Sequence, residues 1–106
     1  MNPTFQLASK ADIDVIVAFS RQLNEDDPVA TGGAKFDEQT VRAALVKFVD
    51  DPSLGRAWLI YDGNDPIGYV VLTLGYSLEY HGRDAFIDEL FVKASHRGQE
   101  IGRAHV

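Results

Sequence analysis

The chain has 106 residues, with 16 acids against 10 bases for a formal charge of −6, and 45% of its residues are hydrophobic, the profile of one compact globular domain over residues 1–106. This acidic balance argues against a nucleic-acid partner, whose phosphates call for clustered Lys and Arg. With no cysteine, a disulfide framework, a thiolate nucleophile and a Cys-ligated metal are all excluded, and a reducing, cytoplasmic setting is the expectation.

Thr4 to Ala8 reads as a short strand. Ser9 followed three residues later by Asp12 is a helix-start signal, and Ile13, Ile16, Phe19 and Leu23 then recur on one face. The acidic run Asn24 to Asp27 and then Pro28 end that helix, because Pro28 lacks an N–H and carboxylates oppose the negative end of the helix dipole. After Gly32 and Gly33, Asp37 is an N-cap and Phe36 is placed to staple against Val41. Val41, Ala44, Leu45, Phe48 and Val49 follow the spacing of a single buried stripe, so this second helix is expected to cover one face of a sheet.

Arg56 to Tyr61 is the next strand, Asp62-Gly63-Asn64-Asp65 a hairpin turn, and Ile67 to Leu78 a long partner strand. The uncharged run Pro66 to Leu78 is too short to cross the roughly 30 Å apolar layer of a bilayer. Asp12 and Asp14 interrupt the only apolar stretch near the N-terminus, so neither a membrane partner nor a signal peptide is expected. A turn at Tyr80, His81 and Gly82 leads to a strand over Ala85 to Val92, and Ser95 opens a last helical segment. The sum is an α+β arrangement, a mixed and mainly antiparallel sheet flanked by helices. The final segment runs only about two to three turns at 3.6 residues per turn, and the strand before it has an unpaired edge. The sequence is therefore expected to hold the first two-thirds of a larger domain.

His81, His96 and His105 lack metal-ligand spacing, so no metal is expected. Ser20, Ser53, Ser77 and Ser95 show no linked His–acid pattern of a hydrolase. Neither G-x-x-x-x-G-K-[ST] nor a G-x-G-x-x-G after the first strand is present. What carries chemistry is the stretch from Asp88 to Arg103: a strand ending Leu90-Phe91-Val92, a short turn, then Arg97, Gly98, Gln99, Glu100, Ile101, Gly102 and Arg103. Acids outnumber bases about two to one up to residue 90, whereas bases outnumber acids beyond it, so an anion is better received there.

This stretch resembles the acetyl-CoA-binding motif of the GCN5-related N-acetyltransferases (GNAT), Arg/Gln-x-x-Gly-x-Gly/Ala after a strand ending Leu-aromatic-Val. Arg97, Ile101 and Gly102 match in type and spacing, and the order of elements upstream is similar. The resemblance implies that backbone amides of Gly98, Gln99, Glu100, Ile101, Gly102 and Arg103 hold the coenzyme A pyrophosphate at a helix N-terminus. It also implies that the backbone of Leu90, Phe91 and Val92 pairs with the pantetheine arm. Glu100 departs from the motif, standing where the family has its first glycine, and a carboxylate there either weakens binding or points outward and favours the first turn of the helix. The tyrosine that protonates the thiolate in many members has no counterpart before Val106.

Acetyl transfer to an amine needs a base and a hydrogen bond to the developing oxyanion. Asp88 matches the position of a strand glutamate that serves as base or substrate contact in polyamine-type members, and Asp88 is preferred over Glu89. As neighbours on a strand the two are expected to point to opposite faces, so that only one faces the cleft. Asp26 and Asp27 correspond to a region that contacts substrate in similar enzymes, where carboxylates would steer a cation. The resemblance thus implies an acetyl-CoA-dependent N-acetyltransferase acting by direct transfer on a primary amine of a small cation such as a polyamine or amino sugar. The alternative is a truncated, non-catalytic domain that binds coenzyme A weakly or acts as an assembly unit. A homodimer is expected, and in the second reading the other copy covers the open strand edge and the exposed sheet face.

Overall fold

The computed structural model describes residues 2–29 and 35–97. Strands β1 (Thr4–Leu7), β2 (Gly55–Asp62), β3 (Asp65–Ser77) and β4 (Gly82–Val92) form one sheet in sequence order. Every pairing among the described strands is antiparallel, so the expected α+β class holds. Gly63, at φ 61°, takes the first position of the two-residue β2–β3 turn, a conformation that glycine adopts without steric cost. β4 starts earlier than expected, because Gly82 and Arg83, turn-like in composition, pair with Ser77 and Tyr76.

Helices α1 (Ile13–Asp26) and α2 (Glu38–Asp50) lie on one face of this sheet. The Ser9 amide donates to Asp12 Oδ2 at 2.9 Å, as the helix-start signal implies, and first closes a 3-10 turn that runs into α1. Asp37 caps α2, accepting from the Gln39 amide at 3.2 Å and from Thr40 Oγ1 at 2.9 Å. Phe36, expected to staple against Val41, carries the Arg21 guanidinium 4.7 Å above its ring.

The core lies between α1 and the sheet. Ile16 and Phe19 pack on Ala57, Leu59, Tyr69, Val71 and Phe91, and the rings of Phe19 and Phe91 are 5.3 Å apart. At Gly68 β3 approaches β4 so closely that a Cβ would sit 2.1 Å from the Phe91 carbonyl oxygen. The expectation of a buried stripe on α2 needs correction, since no residue of that helix is buried. Leu45 and Phe48 touch the core while Val41 is only half-buried and Ala44 is exposed. α1 and the sheet already close the core between them, so the apolar stripe of α2 stands over a gap. Ion pairs on the exposed side, Arg21 to Glu38 and Arg42 to Asp14, link α2 to α1, each worth about 0–1 kcal/mol.

The opposite face of the sheet holds a small cluster of Ile60 and Ile67 with Phe5 and Val92. Beyond it that face leaves apolar side chains open, with Tyr76 64%, Ile87 65% and Leu90 44% exposed.

Candidate functional site

Strand alternation predicts that Asp88 and Glu89 diverge, and the register shows why they do not. Val71 pairs with Glu89 and Leu72 with Ile87, leaving Asp88 as an extra residue without a partner. Such a bulge bends the strand and re-aims a side chain. Both carboxylates therefore line one cavity of about 230 Å³ between the sheet and the helices. The walls are apolar: Ile16 from α1, Val41, Ala44, Leu45 and Phe48 from α2, and Val71 from β3. Ser20 and Thr73 are its other polar lining residues, and among the described residues no Lys or Arg lines it.

Glu89 is held in place. The hydroxyl of Tyr69, a fully buried residue, donates to Glu89 Oε1 at 2.7 Å. Burial first, and then the Glu89 charge, push the Tyr69 phenol far above its usual range, so it remains a hydrogen-bond donor to the carboxylate. Ser20 is a second hydrogen-bond neighbour of the phenol. A buried Tyr needs such a partner for its hydroxyl, which was the one signal in the sequence that could have linked Tyr69 to a strand carboxylate. An adjoining cavity shares Ser20, Val41 and Glu89 and adds the polar or charged side chains of Asn24, Lys35, Asp37 and Thr40.

The other expected site residues fall on the rim of the sheet. β4 is the terminal strand of the described sheet, so one edge of Leu90, Phe91 and Val92 has no strand beside it there. The Phe91 side chain is buried in the core and its carbonyl faces Gly68 of β3, which leaves the flanking backbone of Leu90 and Val92 at that edge. Arg97 donates through Nε to the Val92 carbonyl at 2.6 Å and through Nη2 to Asp26 Oδ2 at 2.5 Å. Its guanidinium stands 5.5 Å from the centre of the Phe91 ring. The structure thus joins an expected cofactor residue, Arg97, to an expected substrate residue, Asp26. Hydrogen bonds from Arg97 and then Gln22 hold the Asp26 carboxyl below the usual carboxylate range. Asp27 closes α1, its amide donating to the Leu23 carbonyl at 2.9 Å. Gly98, Gln99, Glu100, Ile101, Gly102 and Arg103 lie outside the described residues.

The model of the acetyltransferase (GNAT) family matches residues 16–106. The chain belongs to the GNAT family. Among solved structures, an integron cassette protein from the mobile metagenome of Cole Harbour Salt Marsh is 33% identical with a TM-score of 0.84, over 94% of this chain and 62% of that one. A possible acetyltransferase from Clostridium difficile 630 is 17% identical with a TM-score of 0.81, over 98% of this chain and 66% of that one. A predicted acetyltransferase with acetyl-CoA from Clostridium acetobutylicum is 14% identical with a TM-score of 0.76, over 97% of this chain and 68% of that one. At the two lower identities the likeness is one of GNAT fold alone. The chain spans less than two-thirds of the length of the first two structures. No match is found among curated proteins. Among the described residues of this GNAT chain no group of three or more His, Asp or Glu side chains is placed to hold a metal. No described helix is long and apolar enough to cross a membrane.

Proposed function

We propose that this GNAT chain takes part in acetyl transfer from acetyl-CoA to the primary amine of a small cation. The observation that carries the reading is the bulge at Asp88, which turns two adjacent carboxylates into one cavity beside a strand edge that no described strand covers. That edge fits an extended, amide-bearing arm such as pantetheine, because strand N–H and C=O groups with no described strand beside them are satisfied by adding one more extended chain, here one that displaces the Arg97 guanidinium from the Val92 carbonyl. Leu90 to Val92 would hold the arm, with the segment from Gly98 to Arg103 receiving the phosphates. When bound, acetyl-CoA supplies an acetyl group activated as a thioester.

The chain's own groups supply the rest. Glu89, fixed by the Tyr69 hydroxyl, is a steady negative charge that draws an ammonium into the cavity. Asp88, the exposed member of the pair, accepts the proton the amine must lose, through water, as a general base. The new C–N bond replaces the C–S bond, and the departing sulfur takes up a proton. Release of free thiol from acetyl-CoA in the presence of an amine panel tests this. Turnover that falls 10- to 1000-fold in Asp88→Asn with unchanged acetyl-CoA affinity supports the assignment. Equal loss of both removes Asp88 from the role of base.

A second reading is favoured by the open apolar face at Tyr76, Ile87 and Leu90. In it the chain serves as an assembly unit whose exposed sheet face is covered by another copy. Concentration-dependent dimerisation without any thiol release would support that reading over the first.

A further inference from the structure

We infer that the amine taken into the cavity is an amphipathic one, a single ammonium carrying an apolar chain or ring, and not a polyamine or a sugar. The inference rests on the acetyl-transfer reading for its reaction, but the cavity itself carries it. Both charges sit together on β4, at Asp88 and Glu89, while the walls contributed by α2 are Val41, Ala44, Leu45 and Phe48. α2 keeps part of its apolar stripe open, since Leu45 and Phe48 touch the core but none of its residues is buried and Ala44 is exposed. A protein rarely leaves such a surface concave and open unless something apolar covers it.

Charge complementarity fixes which end goes where. The ammonium is drawn to Asp88 and Glu89, opposite which no described Lys or Arg lines the cavity. A remainder that lies along α2 meets the hydrocarbon of Val41, Ala44, Leu45 and Phe48, which offers a second ammonium no carboxylate and sugar hydroxyls no partner. The adjoining cavity beside Glu89, with Asn24, Asp37 and Thr40, already holds a cation at Lys35. A cavity of about 230 Å³ is of a size to enclose a short alkyl chain or one ring.

The test is calorimetric binding of the n-alkylamines from ethylamine to hexylamine, with 1,6-diaminohexane as the matched dication and glucosamine as the sugar. Each methylene buried against the α2 wall should tighten binding roughly fourfold, and the dication should bind at least tenfold more weakly than hexylamine. Ala44→Asp, a change at an exposed position, should shift the preference toward the dication by tenfold or more. The double variant Asp88→Asn, Glu89→Gln should lose binding of every amine. A flat series, a dication that binds as well as hexylamine, or amine affinities untouched by the double variant would each overturn the inference. Thiol release is followed separately: its absence with amines that bind as expected would count against acetyl transfer and leave the selectivity of the cavity standing.

Discussion

Tyr69 is the residue on which the geometry of the site turns. Its hydroxyl both fills a buried position and fixes Glu89, so its removal should be felt in stability and in chemistry. Tyr69→Phe is expected to cost about 1.5–3 kcal/mol at pH 8, the range for a hydrogen bond to a charged group. Because folding raises the phenol pKa, the stability this group contributes is complete below the ordinary phenol value near 10 and is lost as pH rises above it. The gap between wild type and Tyr69→Phe in urea melts should therefore narrow between pH 9 and 11, and a constant gap would show that the phenol is not held protonated. Glu100 is a second residue-scale test, argued from sequence alone. A carboxylate about 5 Å from a phosphate charge at an effective dielectric near 20 opposes it by roughly 3 kcal/mol, so Glu100→Gly should tighten acetyl-CoA binding by up to about a hundredfold, measured by calorimetry. The two carboxylates on β4 were legible as candidates because they directly precede Leu90-Phe91-Val92. Their common orientation was not, since a bulge is a property of two strands in register, and reading one strand with period two assumes it away.

At the scale of elements, the bulge at Asp88 and the close approach of β3 to β4 at Gly68 separate structure from function. Deleting Asp88 would leave Ile87 opposite Leu72 and Glu89 opposite Val71, a regular ladder with every other side chain on its present face. The deletion should therefore unfold in denaturant within about 1 kcal/mol of wild type, the size of an ordinary substitution, while abolishing transfer. Gly68→Ala should behave in the opposite way. Its Cβ would overlap the Phe91 carbonyl, and overpacking of this kind costs about 1–3 kcal/mol, visible as a lower denaturation midpoint. Helix starts were legible because capping is local: Ser9 with Asp12, and Asp37 with Gln39 and Thr40, act within four residues of sequence. The periodicity of α2 was legible too, but its burial was not. Whether a stripe is packed or left over a gap depends on what α1 and β3 already fill, which no window along the chain contains.

For the whole molecule, one sheet serves two different surfaces. The helix side is closed by α1 and left partly open by α2, which makes the cavity, and the opposite side exposes Tyr76, Ile87 and Leu90 around a small cluster at Ile60 and Ile67. An apolar surface of that kind favours association, so sedimentation at rising protein concentration should show a growing dimer population, and Ile87→Lys should reduce it without lowering the denaturation midpoint of the monomer. The expected homodimer and the expected fold class come from different sources. The class follows from periodicity and turn chemistry distributed along the chain, whereas association depends on which face of β3 and β4 the helices leave uncovered. The measurement that bears most directly on the proposed chemistry is thiol release from acetyl-CoA with hexylamine as acceptor, compared between wild type, Asp88→Asn and Glu89→Gln. Amine-dependent release in wild type that falls at least tenfold in both variants is expected, whereas release that is independent of amine, or unaffected by either substitution, would contradict a carboxylate pair at the β4 bulge as the seat of transfer.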